Sequence, residues 1–235
     1  MVKISGLTKK YGDKVAVDNL SLDINDGQIT GFIGHNGAGK TTTIKCLCGI
    51  LGFEEGEILI DGKSIKTNPL ECKKDIAYIP DNPELYDFMT GIKYLNFISD
   101  IFKVDANIRQ ERIEKYADMF EIKGDLNSQI GTYSHGMKQK LAVISALIHS
   151  PKVIIMDEPF VGLDPKASHN LKEVMNSMCQ EGCAIFFSTH VLEVAEKICD
   201  RIAIIRNGKL VVSGTTNEVK GDTSLEEVFL ELVEG

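Results

Sequence analysis

The sequence predicts a mixed α/β fold: a parallel-strand core that starts with an antiparallel β subdomain and carries an α-helical subdomain inserted in its middle. Three observations carry that prediction. An apolar strand over 28–33 runs directly into a glycine-rich loop and then a helix. Between about 88 and 150 the hydrophobic spacing becomes helical and strand patterns vanish. After Pro151 strand and helix alternate again, as in parallel-sheet units. The expected organisation is one domain over 1–235, with its core built from 1–87 and 151–235 and a helical subdomain over 88–150.

Element by element, Val2-Lys3-Ile4, Val15-Ala16-Val17 and Leu20-Ser21-Leu22-Asp23-Ile24 alternate apolar and polar residues around the turn signals Gly12-Asp13 and Asp26-Gly27, which predicts antiparallel strands. A helix is expected over 42–51, a hairpin around Asp61-Gly62, and a short buried strand over 75–79 that Pro80 ends. In the insertion, Thr90 caps a helix carrying Tyr94, Leu95, Ile98, Ile101 and Phe102, and a second helix carries Ile113, Tyr116, Ala117 and Phe120. A third starts at Ser134 and ends before Pro151, with Met137, Leu141, Ile144 and Ile148 as its core stripe. Then come a strand over 153–156, a helix from Asp164-Pro165 to Gln180, a strand over 184–188 and a short helix over 191–198. A hairpin about Asn207-Gly208 follows, and Ser224-Leu225-Glu226-Glu227 reads as a capping box opening the last helix.

Composition narrows the functional classes. The 34 acidic against 26 basic side chains leave a net charge of −8, which disfavours a protein whose main task is neutralising nucleic-acid phosphates, so no nucleic-acid partner is expected. No apolar run approaches the roughly 20 residues of a membrane span, and the first residues lack a signal-peptide stretch. The expectation is a cytoplasmic chain. Cys46, Cys48, Cys72, Cys179, Cys183 and Cys199 show no Cys-x-x-Cys spacing, so reduced and mostly buried thiols are expected.

Two motifs carry chemistry. Gly34-His35-Asn36-Gly37-Ala38-Gly39-Lys40-Thr41, with Thr42 at the helix start, matches the phosphate-loop pattern. Its backbone N–H groups surround a polyphosphate, Lys40 reaches the terminal phosphates, and Thr41 offers a hydroxyl to Mg²⁺. Val153-Ile154-Ile155-Met156-Asp157-Glu158 delivers two carboxylates at a strand's C-terminal end, where parallel sheets place ligands. Adjacent residues there point different ways. Asp157 can serve the metal while Glu158 polarises the attacking water.

With these motifs in order, the whole chain resembles the ATP-binding subunit of an ABC transporter. Tyr133-Ser134-His135-Gly136-Met137 resembles the family's signature, usually Leu-Ser-Gly-Gly-Gln, and keeps the serine and the second glycine. A hydroxyl and an open backbone at a helix N-terminus suit a γ-phosphate, although Ser134 is also an ordinary helix cap. The resemblance further implies that Gly162-Leu163-Asp164 is the D-loop, His190 the switch histidine at the γ-phosphate, and Tyr11 the aromatic that stacks on adenine. Where the family carries Gln in the loop after strand 75–79, this sequence has Asp81, which either approaches Mg²⁺ with a full charge or only begins the turn with Pro83. The implied activity is ATP hydrolysis with Glu158, His190 and Lys40 as catalytic groups. ATP is expected on Tyr11, residues 34–42, Ser134 and Gly136, and Mg²⁺ on Thr41, Asp81 and Asp157.

Since one phosphate loop supplies half a site, Ser134 and Gly136 of a second copy, or the matching residues of a homologous subunit, are expected to complete it in a head-to-tail dimer. The implied partner is a separate integral membrane permease that holds the subunit on the inner face of the cell membrane. The groove near 81–102 is the expected docking surface, with Tyr86, Phe88 and Met89 as contacts or else as core of the insertion. The signature's form, the single cassette and the short ending resemble export subunits. The rival is a soluble ABC ATPase acting on DNA or the ribosome, which usually carries coiled coils or two cassettes. A phosphate-loop kinase is opposed by Asp157-Glu158 and the signature.

Overall fold

The structure, a computed structural model, describes residues 1–234. β1 (Val2–Tyr11) and β2 (Lys14–Ile24) form a hairpin closed at Gly12-Asp13, with Tyr11 opposite Lys14. β2 is one continuous strand where the sequence suggested two runs. Asn19 adopts φ +48° and absorbs an irregularity in the pairing. With β4 (Glu55–Ile60) and β5 (Lys63–Ser64) these strands make a four-stranded antiparallel sheet in the order β2-β1-β4-β5. The second sheet contains β3 (Ile29–Ile33), β6 (Ile76–Ile79), β7 (Val153–Asp157), β8 (Ala184–Thr189), β9 (Arg201–Arg206) and β10 (Lys209–Thr215), in the order β10-β9-β3-β8-β7-β6. All its pairings are parallel except the β9–β10 hairpin.

The parallel strands explain why they read as unbroken apolar runs: both faces are buried. Phe32, Val153, Ile155, Phe186, Ala203 and Ile205 pack toward the antiparallel sheet and toward α1 (Lys40–Leu47). Their neighbours Ile33, Ile154, Met156, Ile185, Phe187 and Ile204 face the other core. One-residue alternation thus feeds two cores from one sheet. α1 ends several residues before the expected boundary, because Gly49 at φ +63° turns the chain out of the helix.

α2 (Pro69–Asp75) escapes sequence reading. It is seven residues long and buries only Cys72, so it has no apolar stripe to recognise. Between β6 and β7 lie α3 (Gly91–Ile101), α4 (Ala106–Met119), two 3₁₀ turns at Lys123–Asp125 and Ile130–Thr132, and α5 (His135–Leu147). Thr90, Asp105 and Ser134 cap these helices through their side-chain oxygens. Leu95, Ile113, Ala117, Phe120, Leu141, Ile144 and Ile148 form their shared interior. α6 (Pro165–Gln180) is capped by Asp164, as its sequence predicts, and is followed by α7 (Leu192–Ile198). α8 (Thr216–Lys220), too short to show periodicity, carries a complete capping box between Thr215 and Glu218. In α9 (Leu225–Glu234) Ser224 accepts from the Glu227 N–H at 3.2 Å. All six cysteines are free, and only Cys179 is less than buried.

His149 joins the helical segment to the sheet. Its Nε2 lies 3.3 Å from the Ile76 carbonyl, and its ring stacks on Phe102 with centroids 3.7 Å apart. Nδ1 is buried without a partner, so a second proton finds no acceptor. Burial, with Arg112 nearby as a lesser cause, pushes the imidazole down from 6.5 to about 4. The folded state therefore binds this proton less readily than the unfolded chain, and His149 contributes stability above pH 6.5 that is lost as pH falls through about 4. His149→Gln should flatten the acid limb of the stability profile over that interval by roughly 3 kcal/mol, read by urea unfolding at stepped pH.

Candidate active site

β3 delivers the glycine loop at its C-terminal end and α1 starts at Lys40, so the loop wraps the N-terminus of a buried helix. Gly37 and Gly39 have φ of +81° and +110°. At Gly39 a Cβ would also meet the Ala16 carbonyl at 2.6 Å, so β2 presses on the loop from outside. The turn of the β9–β10 hairpin closes the same side. The Gly208 N–H donates to the Ala38 carbonyl at 2.8 Å, and the Gly208 carbonyl accepts from the Asp18 N–H at 2.9 Å.

A cavity of about 530 Å³ opens over this loop. His35, Asn36, Gly37, Gly39, Lys40, Thr41 and Thr42 line its floor. Asp157, Glu158 and Asp81 form one wall, and Tyr11 another. Gly34 and Ala38, also expected to bind, are buried beneath the loop, where their contribution is backbone. Lys14, Val15, Ala16, Asn207 and Gly208 complete the lining, and none of them was expected at the site from the sequence.

Lys40 is almost wholly buried. Its Nζ donates to the Gly34 carbonyl at 2.6 Å and the His35 carbonyl at 3.3 Å, and lies 3.8 Å from Glu158 Oε1. Desolvation lowers its pKa, while Glu158 and Asp157 oppose the shift and favour the ammonium. Asp157 is 1% exposed; its Oδ1 accepts from the Ser188 hydroxyl and its Oδ2 is buried with no partner. An unsatisfied carboxylate oxygen in that position fits a divalent cation or a water bound to one, and the hard oxygen donors Asp157 and Thr41 suit Mg²⁺. Glu158 has φ +49°, and its N–H donates to the Ser188 carbonyl at 3.2 Å and to Ser188 Oγ at 3.1 Å. Its Oε1 lies 3.0 Å from His190 Nδ1. Lys40, Asp157 and Glu158 thus line one cavity, and Lys40 and His190 both approach the same Glu158 oxygen.

Asp81 Oδ1 accepts from the Asn82 N–H at 2.8 Å, as a turn residue does, and Asp81 also lines the cavity. Tyr11 is half exposed beside the cavity, with Lys9 Nζ 5.4 Å from its ring centroid. Ser134 and Gly136 lie elsewhere. Ser134 accepts from the Met137 N–H at 3.3 Å, and neither residue lines the cavity of its own chain. Around them, Lys140 pairs with Asp164 at 2.7 Å, and a Cβ on Gly162 would strike the His135 ring at 2.6 Å. The signature and the 162–164 loop are therefore packed together.

Two contributors went unread in the sequence. Ser188 holds both carboxylate residues, and its only sequence signal is its place two residues before His190. Phe229 of α9 meets the His35 ring edge-on, with centroids 4.9 Å apart. No local pattern links a C-terminal helix to the glycine loop. α9 is anchored there by Arg206, which donates to the Leu232 carbonyl at 3.0 Å, and by Glu196 of α7, which accepts from the Leu225 N–H at 3.1 Å.

A glycine loop at a helix N-terminus, a buried lysine and paired carboxylates define a phosphate-loop nucleotide-binding fold. A family model described as ABC transporter matches residues 17–161. The ABC transporter ATP-binding protein YhcH of Bacillus subtilis (strain 168) is 36% identical over 212 residues, which cover 90% of this chain and 68% of YhcH. The chain spans 60–68% of the length of YhcH and two further curated relatives. A solved structure of the ATP binding subunit of an ABC transporter superposes with a TM-score of 0.95 at 32% identity, covering 99% of each chain. A dimeric post-hydrolysis state of the ATP-binding cassette MJ0796, bound to ADP and Pi, reaches 0.83 at 23% identity over 92% of this chain and 99% of the other, a likeness of fold alone. This chain belongs to the ABC transporter family, as an ATP-binding subunit with the P-loop ABC ATPase fold.

If α9 steadies the loop through the Phe229 ring, Phe229→Ala should raise the KM for ATP several-fold with a smaller change in kcat, measured by steady-state ATPase assay.

Proposed function

We propose that this chain is the ATP-hydrolysing engine of a membrane exporter, working as a head-to-tail dimer with a separate permease. The observation that carries it is that Lys40, Asp157 and Glu158 line the phosphate-loop cavity while His190 holds the Glu158 carboxylate. ATP enters with its phosphates on the loop N–H groups and its adenine against Tyr11. As the polyphosphate arrives, Lys40 exchanges the Gly34 and His35 carbonyls for phosphate oxygens, so its ammonium stays hydrogen-bonded throughout. Thr41 and Asp157, with Asp81 alongside, are the residues that would hold Mg²⁺, which when bound neutralises charge on the β- and γ-phosphates. Glu158 orients and polarises the attacking water, and His190, bonded to the same carboxylate, fixes the Glu158 side chain and faces the γ-phosphate.

Ser134 and Gly136 lie outside their own cavity, which supports their serving the nucleotide of a second copy. Closure of the dimer is then the step that ATP drives, and hydrolysis reopens it. Glu158→Gln should bind MgATP, fail to cleave it and accumulate as a dimer, whereas Lys40→Ala should stay monomeric. Light scattering with and without MgATP checks this, and a single species under all conditions would contradict it.

Among the described residues no helix is long and apolar enough to cross a membrane, and the proposed reading assigns the membrane path to a separate permease. The docking surface we assign is the groove between the core and the inserted helices near 81–102. Tyr86 and Phe88 are exposed, with the Tyr86 ring 5.8 Å from Phe88 and 5.9 Å from Phe97, while Met89 packs against the core and drops out as a contact. Export is the direction we assign from the Tyr133-Ser134-His135-Gly136-Met137 form of the signature, and the permease holds the subunit on the cytoplasmic face. Phe88→Glu, an exposed position, should abolish co-purification with the permease and leave the ATPase rate of the isolated subunit within about twofold of the parent. Loss of both together would make Phe88 a structural residue.

A further inference from the structure

We propose that Ser188 is a positioning residue that divides the labour between Asp157 and Glu158, committing one Asp157 oxygen to the protein so that the other is left for the metal. The inference rests on the hydrolytic reading above.

Ser188 lies opposite Asp157 in the parallel register of β7 and β8 and is fully buried. A hydroxyl has one proton to give and two lone pairs to offer. Here the proton goes to Asp157 Oδ1, and a lone pair takes the Glu158 N–H at 3.1 Å. The Ser188 carbonyl shares that N–H at 3.2 Å. Two consequences follow from one side chain. The Asp157 carboxylate cannot rotate freely, since turning it would forfeit the Ser188 bond inside the protein, and Oδ2 is the oxygen left buried without a partner. Glu158, meanwhile, is held at φ +49°, a conformation that costs a non-glycine residue energy and persists only where neighbours hold it. That backbone twist separates the two adjacent carboxylates. Asp157 stays beneath the sheet's end, and Glu158 turns toward Lys40 and His190. Without the hydroxyl, Asp157 Oδ1 has no donor, and both carboxylate oxygens compete for the same cation and the same orientations.

The test uses nucleotide binding rather than turnover. In a Glu158→Gln background, which keeps the backbone N–H, binding of a fluorescent ATP analogue is titrated with Mg²⁺ for Ser188, Ser188→Ala, Ser188→Thr and Ser188→Val. Thr and Val match in shape and differ in the hydroxyl, so they read the proposal even if the alanine variant folds poorly. Ser188→Ala and Ser188→Val should raise the Mg²⁺ midpoint on the order of tenfold, the usual cost of removing a partner of a metal ligand. Ser188→Thr should return it to near the parent value, and binding of the analogue in EDTA should be equal in all four. Equal Mg²⁺ midpoints for Thr and Val would overturn the proposal, as would a parallel loss of metal-free binding in Val. A parent protein that shows no Mg²⁺-dependent binding would instead overturn the hydrolytic reading on which it stands.

Discussion

A buried ammonium beside a buried carboxylate and a part-buried one is the arrangement around which this protein is built. Lys40 can remain charged at so little exposure only because loop carbonyls accept its protons and Asp157 and Glu158 supply opposing charge. Those partners come from distant parts of the chain, and they meet because β3, β7 and β8 end side by side at one edge of a parallel sheet. Each strand must then be apolar on both faces, which is what the two cores above and below the sheet require. The cost of desolvating the site's charges is thus offset by the rest of the fold, and the same low-dielectric setting strengthens their action on a phosphate.

The glycine loop is held from several sides at once. β2 approaches it so closely at Ala16 that only glycine fits at positions 39 and 208, and the Asn207-Gly208 turn bonds to both β2 and the loop. α9 adds the Phe229 contact to His35 and is itself tied to α7, the helix that follows His190. The glycine loop and the segment that carries His190 therefore share a support at the C-terminal end of the described chain. Preorganisation of this kind places donors before the anion arrives, so binding energy is not consumed in ordering them.

On the opposite side, α5 and α6 are coupled at their N-termini. Lys140 pairs with the cap residue Asp164, and His135 packs on Gly162. Because His135 stands where the related signature usually has glycine, its ring replaces open space with a contact to the neighbouring loop. A movement of the inserted helices would carry that loop with it, which fits the proposed closure of two copies. His149 and Phe102 form the corresponding joint at the other end of the insertion, where a helical face meets β6.

The sequence by itself determined the elements whose cause is local. Alternation identified the antiparallel strands and unbroken apolar runs the parallel ones, side-chain oxygens identified the caps at Thr90, Ser134 and Asp164, and the glycine spacing identified the loop, because each reflects backbone geometry within a few residues. α2 and α8 stayed invisible for the same reason, being too short or too polar to show a period. Tertiary structure decided what depends on partners far apart in the chain. It brought Ser188 to Asp157, Phe229 to His35 and His190 to Glu158, and it kept Ser134 and Gly136 away from their own cavity. A hydroxyl such as that of Ser188 looks like any other along the chain, and it acquires a role only when strand register sets a buried carboxylate opposite it.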